Sequence, residues 1–319
     1  MFFKKLMKWM IMLTIIISIT SNNWFIFWIM MEMNMMMFIP ILKKNKMENC
    51  NSMITYFIVQ SFSSIMFFMG STMMSINYYL INEMLIVISL MIKLAMIPFH
   101  SWLILISETL EYNSFMIILS IQKMIPLIII NNMMNKIVYM ISIISLIMSS
   151  IMIFNLKLFK KILVFSSISH LSWMIILMYS LSNFWVSYMM IYFLMIYSIT
   201  KILKKTSINS IHNLMSNKLL NNDKISIIIY MMALGGMPPF MGFMIKFLAI
   251  TIIIKYSMIS MIILIVSSLI NIFIYIRMIT PAFLSFNKSN INLNSFKNIK
   301  NLIMNSTIIL TLIMINMIM

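Results

Sequence analysis

The sequence predicts an all-α polytopic membrane protein of about 11 transmembrane helices. Two of these are expected to be discontinuous, near Pro98 and near Pro238, in an inverted-repeat architecture. Three observations predict it. The chain is 62% hydrophobic and only 9% charged, with a mean hydropathy of +1.03, and a water-soluble protein has to cover its surface with more polar material than that. Apolar stretches of membrane-crossing length recur from one end to the other. The basic residues alternate with those stretches in the way that topology demands.

A helix that crosses a bilayer needs about 20 apolar residues, each rising 1.5 Å. By that measure the spans are 7–21, 24–42, 52–75, 80–109, 114–131, 137–155, 160–181, 184–203, 225–255, 257–281 and 301–319. The first follows Lys4, Lys5 and Lys8 and could be a signal peptide. A first span is the better reading, because further spans follow at once and no small-residue cleavage site is evident. The fourth and ninth stretches are about ten residues too long for one straight crossing. Both contain proline: Pro98 in the fourth, Pro238 and Pro239 in the ninth. Each therefore reads as two half-helices around an irregular middle, the pattern of inverted-repeat transporters. Segments 204–224 and 286–300 are the longest polar stretches and are too short to fold alone, so one transmembrane domain over 1–319 is expected.

Basic residues test the count. Of the 23 lysines and arginines, 18 fall in segments on the N-terminal side, two on the other side and three inside spans. An error in the span count would have scrambled this alternation. By the positive-inside rule the lysine-rich side faces the cytoplasm or, in a mitochondrion, the matrix. The formal charge of +17 is thus explained by membrane topology and not by nucleic acid.

Composition also excludes several kinds of chemistry. One cysteine, Cys50, rules out a disulfide framework or a cysteine metal cluster. The chain has only four glycines, which cannot supply a dinucleotide fingerprint or a P-loop. Three histidines, His100, His170 and His212, lie too far apart in sequence for a metal motif. The 44 methionines fit an AT-rich coding sequence better than any methionine chemistry.

Three of the four glycines and two prolines sit in one window, Leu234–Lys246, which reads LGGMPPFMGFMIK. Glycine and proline open a helical hydrogen-bond ladder. Such an opening is tolerated at membrane depth only where protein or a water-filled cavity surrounds it. About one turn past Gly242 stands Lys246, a lone cation in an apolar run.

Lysine, arginine or aspartate at the membrane centre costs about 2.5–3.5 kcal/mol on insertion scales, which makes intramembrane charges functional candidates. Here they are Glu32, Lys93, Lys123 and Lys246. Glu32 and Lys93 form the natural acid–base partners. They could be a fixed ion pair that only sets helix packing. They could instead be a movable pair: once the acid is protonated or the lysine turns away, the ammonium loses its counter-charge and gives up a proton. Lys123 and Lys246 have no acidic partner at membrane depth in the sequence. Their bland alternative is snorkelling to an interface. Glu83 reads as a solvated helix end, and Glu108 and Glu111 as surface groups in a turn. His100, two residues after Pro98, is either a proton relay or a hydrogen-bonded structural residue. His170 lies mid-span in SSISHLSW, where the expected partners are the neighbouring serines across helices.

These residues resemble a known family. WIMMEMNMMMFIPIL (Trp28–Leu42), KLAMIPFHSW (Lys93–Trp102), IQKMIPL (Ile121–Leu127), SSISHLSWM (Ser166–Met174) and LGGMPPFMGFMIKF (Leu234–Phe247) are similar to the antiporter-like membrane subunits of mitochondrial NADH–ubiquinone oxidoreductase (respiratory complex I), in particular its subunit 2 group. The wider family includes multi-subunit cation/proton antiporters. The resemblance implies an antiporter-like fold and a proton pathway in the membrane arm of the NADH:ubiquinone reductase. On that pathway Glu32 and Lys93 match the family's glutamate–lysine pair, Lys123 the central lysine and Lys246 the distal lysine. It implies no cofactor on this chain: NADH, FMN, iron–sulfur clusters and ubiquinone belong to other parts of the complex. The implied partners are other complex I subunits, above all the neighbouring antiporter-like ones, and membrane lipids. The implied location is the mitochondrial inner membrane, with the N-terminus and lysine-rich loops on the matrix side and the C-terminus towards the intermembrane space. The sequence departs from the family at Ile104 and Leu105, where a proline and an acidic residue are common, and at Thr109, which replaces a glycine. A stand-alone cation/proton antiporter of the same fold is the alternative, and a scaffold whose charges only hold helices together is a third reading.

If Lys123 carries protons, Lys123→Met loses proton pumping while the protein still assembles. A scaffold role requires the opposite, loss of assembly as the main effect, so pumping assays beside a native gel separate the two.

Overall fold

The computed structural model describes residues 2–43, 47–74, 79–214 and 221–286. The described chain is helical almost throughout and divides into two compact units, Met1–Ser145 and Leu146–Met319. Unit 1 contains α1 (Phe2–Thr20), α2 (Trp24–Leu42), α3 (Met47–Met74), α4 (Tyr79–Leu94), α5 (Ser101–Thr109), α6 (Tyr112–Leu119), α7 (Met124–Asn132) and the start of α8 (Lys136–Met152). Unit 2 contains the end of α8, then α9 (Phe159–Tyr179), α10 (Phe184–Thr206), the single turn α11 (Ile211–Leu214), α12 (Asn221–Gly235), α13 (Met241–Ile253) and α14 (Met258–Phe286).

Each of the first ten predicted spans is met by helix at its expected place. The eleventh, 301–319, lies outside the described residues, as do the segment 287–300 and its lysines. Seven described stretches are long and apolar enough to cross a membrane: 24–42, 50–74, 112–132, 136–155, 159–179, 184–206 and 258–280. The fourth and ninth spans do not qualify as single helices because they are broken, as expected. Counted along the chain, the broken helix is the fourth of spans 1–5 and again the fourth of spans 6–10, which is the periodicity of an internal repeat. Lys224, assigned from sequence to a loop, lies in the first turn of α12 and is buried.

The helices have the surfaces that a bilayer requires. On α3, Ile54, Phe57, Ile58, Phe62, Ile65 and Met69 form an exposed apolar stripe, at the three- and four-residue spacing of one helix face. In unit 2, α9 is buried on nearly every side, the condition of a helix that packs against neighbours all round. It contacts α10 and α13.

Both predicted breaks use the same device. α4 ends with Ala95 in the left-handed region (φ 56°), and α12 ends with Gly236 there (φ 84°). At the first break Met96 N–H donates to the Met91 carbonyl and Ala95 N–H to Ile92, each at 3.1 Å. At the second, Met237 N–H donates to Met232 and Gly236 N–H to Ala233, each at 3.2 Å. This is the Schellman arrangement, which satisfies carbonyls that a helix end otherwise leaves unpaired. The chain then turns through Pro98 or Pro238–Pro239 and starts the second half-helix. There Gly242 fits against the first half: a Cβ on it would lie 1.8 Å from the Ala233 carbonyl oxygen.

A third interruption was not foreseen. Span 114–131 was expected to be continuous, but α6 stops at Leu119, and Ile121–Lys123 form a 3₁₀ turn before α7. Two residues account for it. Pro126 has no N–H for the Gln122 carbonyl and its ring crowds that position. Ser120 turns its hydroxyl back onto the Met116 carbonyl at 2.6 Å and leaves helical geometry, with φ −124° and ψ −79°.

Gly242→Ala forces the two half-helices apart and lowers the amount of chain held in the membrane, as read on a native gel. Ala95→Gly is accommodated and raises the thermal midpoint, because a non-glycine residue in the left-handed region costs about 1–2 kcal/mol.

Candidate proton-transfer site

In unit 1, polar side chains from five elements converge beside the first break. α2 supplies Glu32 and Asn34, α3 supplies Tyr56, Gln60 and Ser64, α4 supplies Lys93, α5 supplies Trp102, and the 3₁₀ turn supplies Gln122 and Lys123. α2 packs on α3 and α7, α3 on α4 and α5, and α4 on α7, so the convergence follows from helix packing.

Lys93 occupies the last turn of α4, where the free carbonyl end of a helix favours a cation. It is 8% exposed and Lys123 only 2%, so neither snorkels to water. Both line a cavity of about 20 Å³, shared with Tyr56, Gln60, Trp102, Ile118 and Gln122. A polar cavity of that volume has room for about one water molecule. Glu32 accepts a hydrogen bond from the Ser64 hydroxyl and acts on Lys93 through its charge, but the two do not meet at ion-pair distance. Gln122 ties the helices together: its amide donates to Asn34 Oδ1 at 2.9 Å, and its carbonyl accepts from the Tyr56 hydroxyl at 3.3 Å.

Trp102 closes the break from the other half-helix. Its indole N–H donates to the Ile92 carbonyl at 3.1 Å, so the buried ring satisfies its own donor and a carbonyl of the last turn of α4. His100 stands at the start of α5 with Nδ1 3.2 Å from the Pro98 carbonyl oxygen. The cavity shared by Lys93 and Lys123 is lined without it. Glu108 and Glu111 are exposed, and Glu83 accepts from the Asn135 amide at 2.8 Å.

Unit 2 holds Lys246, 6% exposed, on α13. Its ammonium donates to the Gly235 carbonyl at 2.9 Å. That carbonyl belongs to the C-terminal end of the first half-helix, where the helix dipole is negative. A cation with no acidic partner in its sequence neighbourhood is thus held by a backbone end. The glycines make room for it: a Cβ on Gly236 would lie 3.0 Å from the Lys246 nitrogen. Gly235 packs on the Tyr275 ring, 3.0 Å from where its own Cβ would be.

His170 is 3% exposed on α9. Its expected serine partners bond elsewhere: the hydroxyls of Ser166, Ser167, Ser169 and Ser172 turn back to carbonyls of their own helix. Instead His170 Nδ1 lies 2.9 Å from the Tyr188 hydroxyl, and its ring faces Tyr192 at 4.9 Å. The hydroxyls of Tyr192 and Tyr275 are buried on the side of α9 that carries Ser167 and Ser166, respectively.

Sequence reasoning, which weighed mainly charged residues and histidines, passed over Ser64, Gln60, Gln122, Asn34 and Tyr56. The signal was present. These are uncharged polar side chains inside apolar spans, where each needs a partner on a neighbouring helix. Among the described residues, no group of three or more His, Cys, Asp and Glu side chains comes together that could hold a metal ion.

Comparison with known proteins defines the class. Residues 72–271 match the family model described as NADH:quinone oxidoreductase/Mrp antiporter, TM. The chain belongs to this family of antiporter-like membrane subunits, and within it to the chain 2 group of NADH–ubiquinone oxidoreductase. NADH-ubiquinone oxidoreductase chain 2 of Rhipicephalus sanguineus is 48% identical over 98% of this chain and 99% of its own length. The chain of the same name from Anopheles gambiae is 32% identical over 89% of this chain and 87% of its own. A chain of respiratory complex I from Thermus thermophilus, solved with bound aureothin, has the same fold. Its TM-score is 0.77 at 15% identity, over 88% of this chain and 71% of the other.

Trp102→Phe removes the side-chain donor to the Ile92 carbonyl, leaving the Ala95 N–H alone there, and destabilises the break by about 0.5–1.5 kcal/mol. Amide hydrogen exchange at 95–97 accelerates; unchanged exchange would mean that the indole does not hold the break together.

Proposed function

We propose that Glu32, Lys93, Lys123 and Lys246 carry protons through this chain, which is a membrane-arm subunit of the proton-translocating NADH:ubiquinone oxidoreductase. The observation that supports this most directly is the shared polar cavity of Lys93 and Lys123, with Glu32 within electrostatic reach of Lys93. Two ammonium groups facing one small cavity repel each other in a medium that screens poorly, so a proton on one disfavours a proton on the other. The Glu32 carboxylate offsets that repulsion while it holds its charge, and protonating it tips the balance towards release from Lys93. A water in the cavity would bridge the two amines for transfer. Ser64 positions the carboxylate, and Gln122 and Tyr56 hold the turn that carries Lys123.

Lys246 works in a different setting. The half-helix carbonyl end stabilises its ammonium without a carboxylate, so it can accept and give up a proton while the Gly235 carbonyl keeps its orientation. The His170–Tyr188 pair and the hydroxyls of Tyr192 and Tyr275 add further polar atoms to the interior of unit 2. His100, at the first break, is the relay candidate of unit 1. We take the two units to act as one antiporter-like domain over 1–319.

The chain performs its part in the enzyme without redox chemistry of its own: NADH, FMN, iron–sulfur clusters and ubiquinone are handled by other subunits. Its location is the mitochondrial inner membrane, with the N-terminus and lysine-rich loops towards the matrix and the C-terminus towards the intermembrane space. The exposed apolar stripe on α3 suits lipid or a neighbouring antiporter-like subunit. A stand-alone antiporter is disfavoured by the full-length match to chain 2 relatives.

The test is NADH-driven proton uptake in reconstituted complex carrying Lys246→Met, measured beside electron transfer and an assembly gel. Reduced pumping by an assembled complex is the expected result. Normal pumping with normal assembly would remove Lys246 from the path.

A further inference from the structure

The three lysines that open the chain do different work. Lys4 donates to the carbonyls of Ile41 at 3.4 Å and Lys43 at 3.1 Å, and so covers the C-terminal end of α2. Lys5 and Lys8 are exposed, and neither has an acidic partner among the described residues. They stand three residues apart on α1, a spacing that sets two like charges side by side on one helix face and destabilises the helix unless an anion is shared. Trp9, four residues after Lys5, and Met12, four after Lys8, continue the same face. Down the helix that face therefore reads two cations, an indole, then an apolar side chain.

This face forms one wall of a cleft of about 290 Å³ within unit 1. The other wall is the fifth span, through Met116, Ile121 and their neighbours. Apart from the two lysines, every residue that lines the cleft is apolar. Trp9 is 73% exposed at its mouth, and tryptophan favours the level where headgroups meet acyl chains. The volume is small for a whole lipid but suits a length of acyl chain whose head remains outside.

We propose that this cleft binds an anionic phospholipid. Its phosphate rests between Lys5 and Lys8, and one acyl chain runs past Trp9 and Met12 against Met116 and Ile121. Basic pockets between transmembrane helices on the matrix or cytoplasmic side take such headgroups. The complementarity explains both the unpartnered lysine pair and the apolar lining beneath it, which a soluble anion leaves unused. The inner end of the cleft is Ile121, in the same 3₁₀ turn as Lys123, so the acyl chain packs on the turn that holds the buried lysine.

The experiment is photolabelling of the purified, assembled complex with phosphatidylglycerol carrying a diazirine in its acyl chain. Phosphatidylcholine with the same tail is the control, and adducts are mapped by mass spectrometry. Phosphatidylglycerol is expected to label 9–12 and 116–121 several-fold above phosphatidylcholine. Lys5→Gln with Lys8→Gln lowers that labelling to the phosphatidylcholine level, and Lys5→Arg with Lys8→Arg retains it. Should the glutamine variant fail to assemble, competition on the unmodified complex decides: unlabelled phosphatidylglycerol suppresses the adducts and phosphatidylcholine does not. Equal labelling by both lipids overturns the proposal in favour of unselective boundary lipid. Absence of adducts at both stretches, with labelling elsewhere on the complex, overturns it in favour of a protein partner over the cleft. Displacement by inorganic phosphate alone overturns it in favour of a free-anion site.

Discussion

A backbone carbonyl released at membrane depth has to find a donor within the protein, and much of this structure answers that demand. Each of the two proline breaks begins with a left-handed residue, where two backbone N–H groups fold back onto the last turn. A side chain from the following half-helix then reaches back to a carbonyl at the same helix end. At the first break it is the Trp102 indole on Ile92, and at the second the Lys246 ammonium on Gly235. In a bilayer no water stands ready to replace either bond.

The same demand explains why cations lie where they do. A buried ammonium without a counter-ion is expensive, and the negative end of a half-helix is among the few partners that costs no second charge. Lys93 sits in the last turn of one such end and Lys246 donates to the other. The breaks are thus chemical devices as well as bends: they place partial negative charge deep in the membrane without adding a carboxylate. Glu32 is the exception: it is half-buried, and its hydroxyl partner Ser64 comes from the next helix.

Much of this was legible in the sequence. The spans follow from apolar length, their direction from the alternation of lysines, and the two main breaks from proline and glycine in stretches too long to be straight. The four intramembrane charges stand out because insertion penalises each of them. Other features were hidden by kind. The interruption at Ser120–Lys123 arises from one proline and one serine in a stretch of ordinary length, which a length criterion passes over. His170 finds Tyr188 on the next helix because its neighbouring serines have nearer acceptors in their own backbone.

What the sequence by itself determined is the set of elements and of costly residues, since both depend on local quantities: hydropathy, charge, chain length and the backbone limits of glycine and proline. Only the tertiary structure decided which polar groups share a space. That Lys93 and Lys123 face one cavity, that Gln122 joins Asn34 to Tyr56, and that Gly242 lets α13 lie on the Ala233 carbonyl all depend on helix rotation and spacing. Those are settled by packing between residues far apart in the chain, and no local pattern records them.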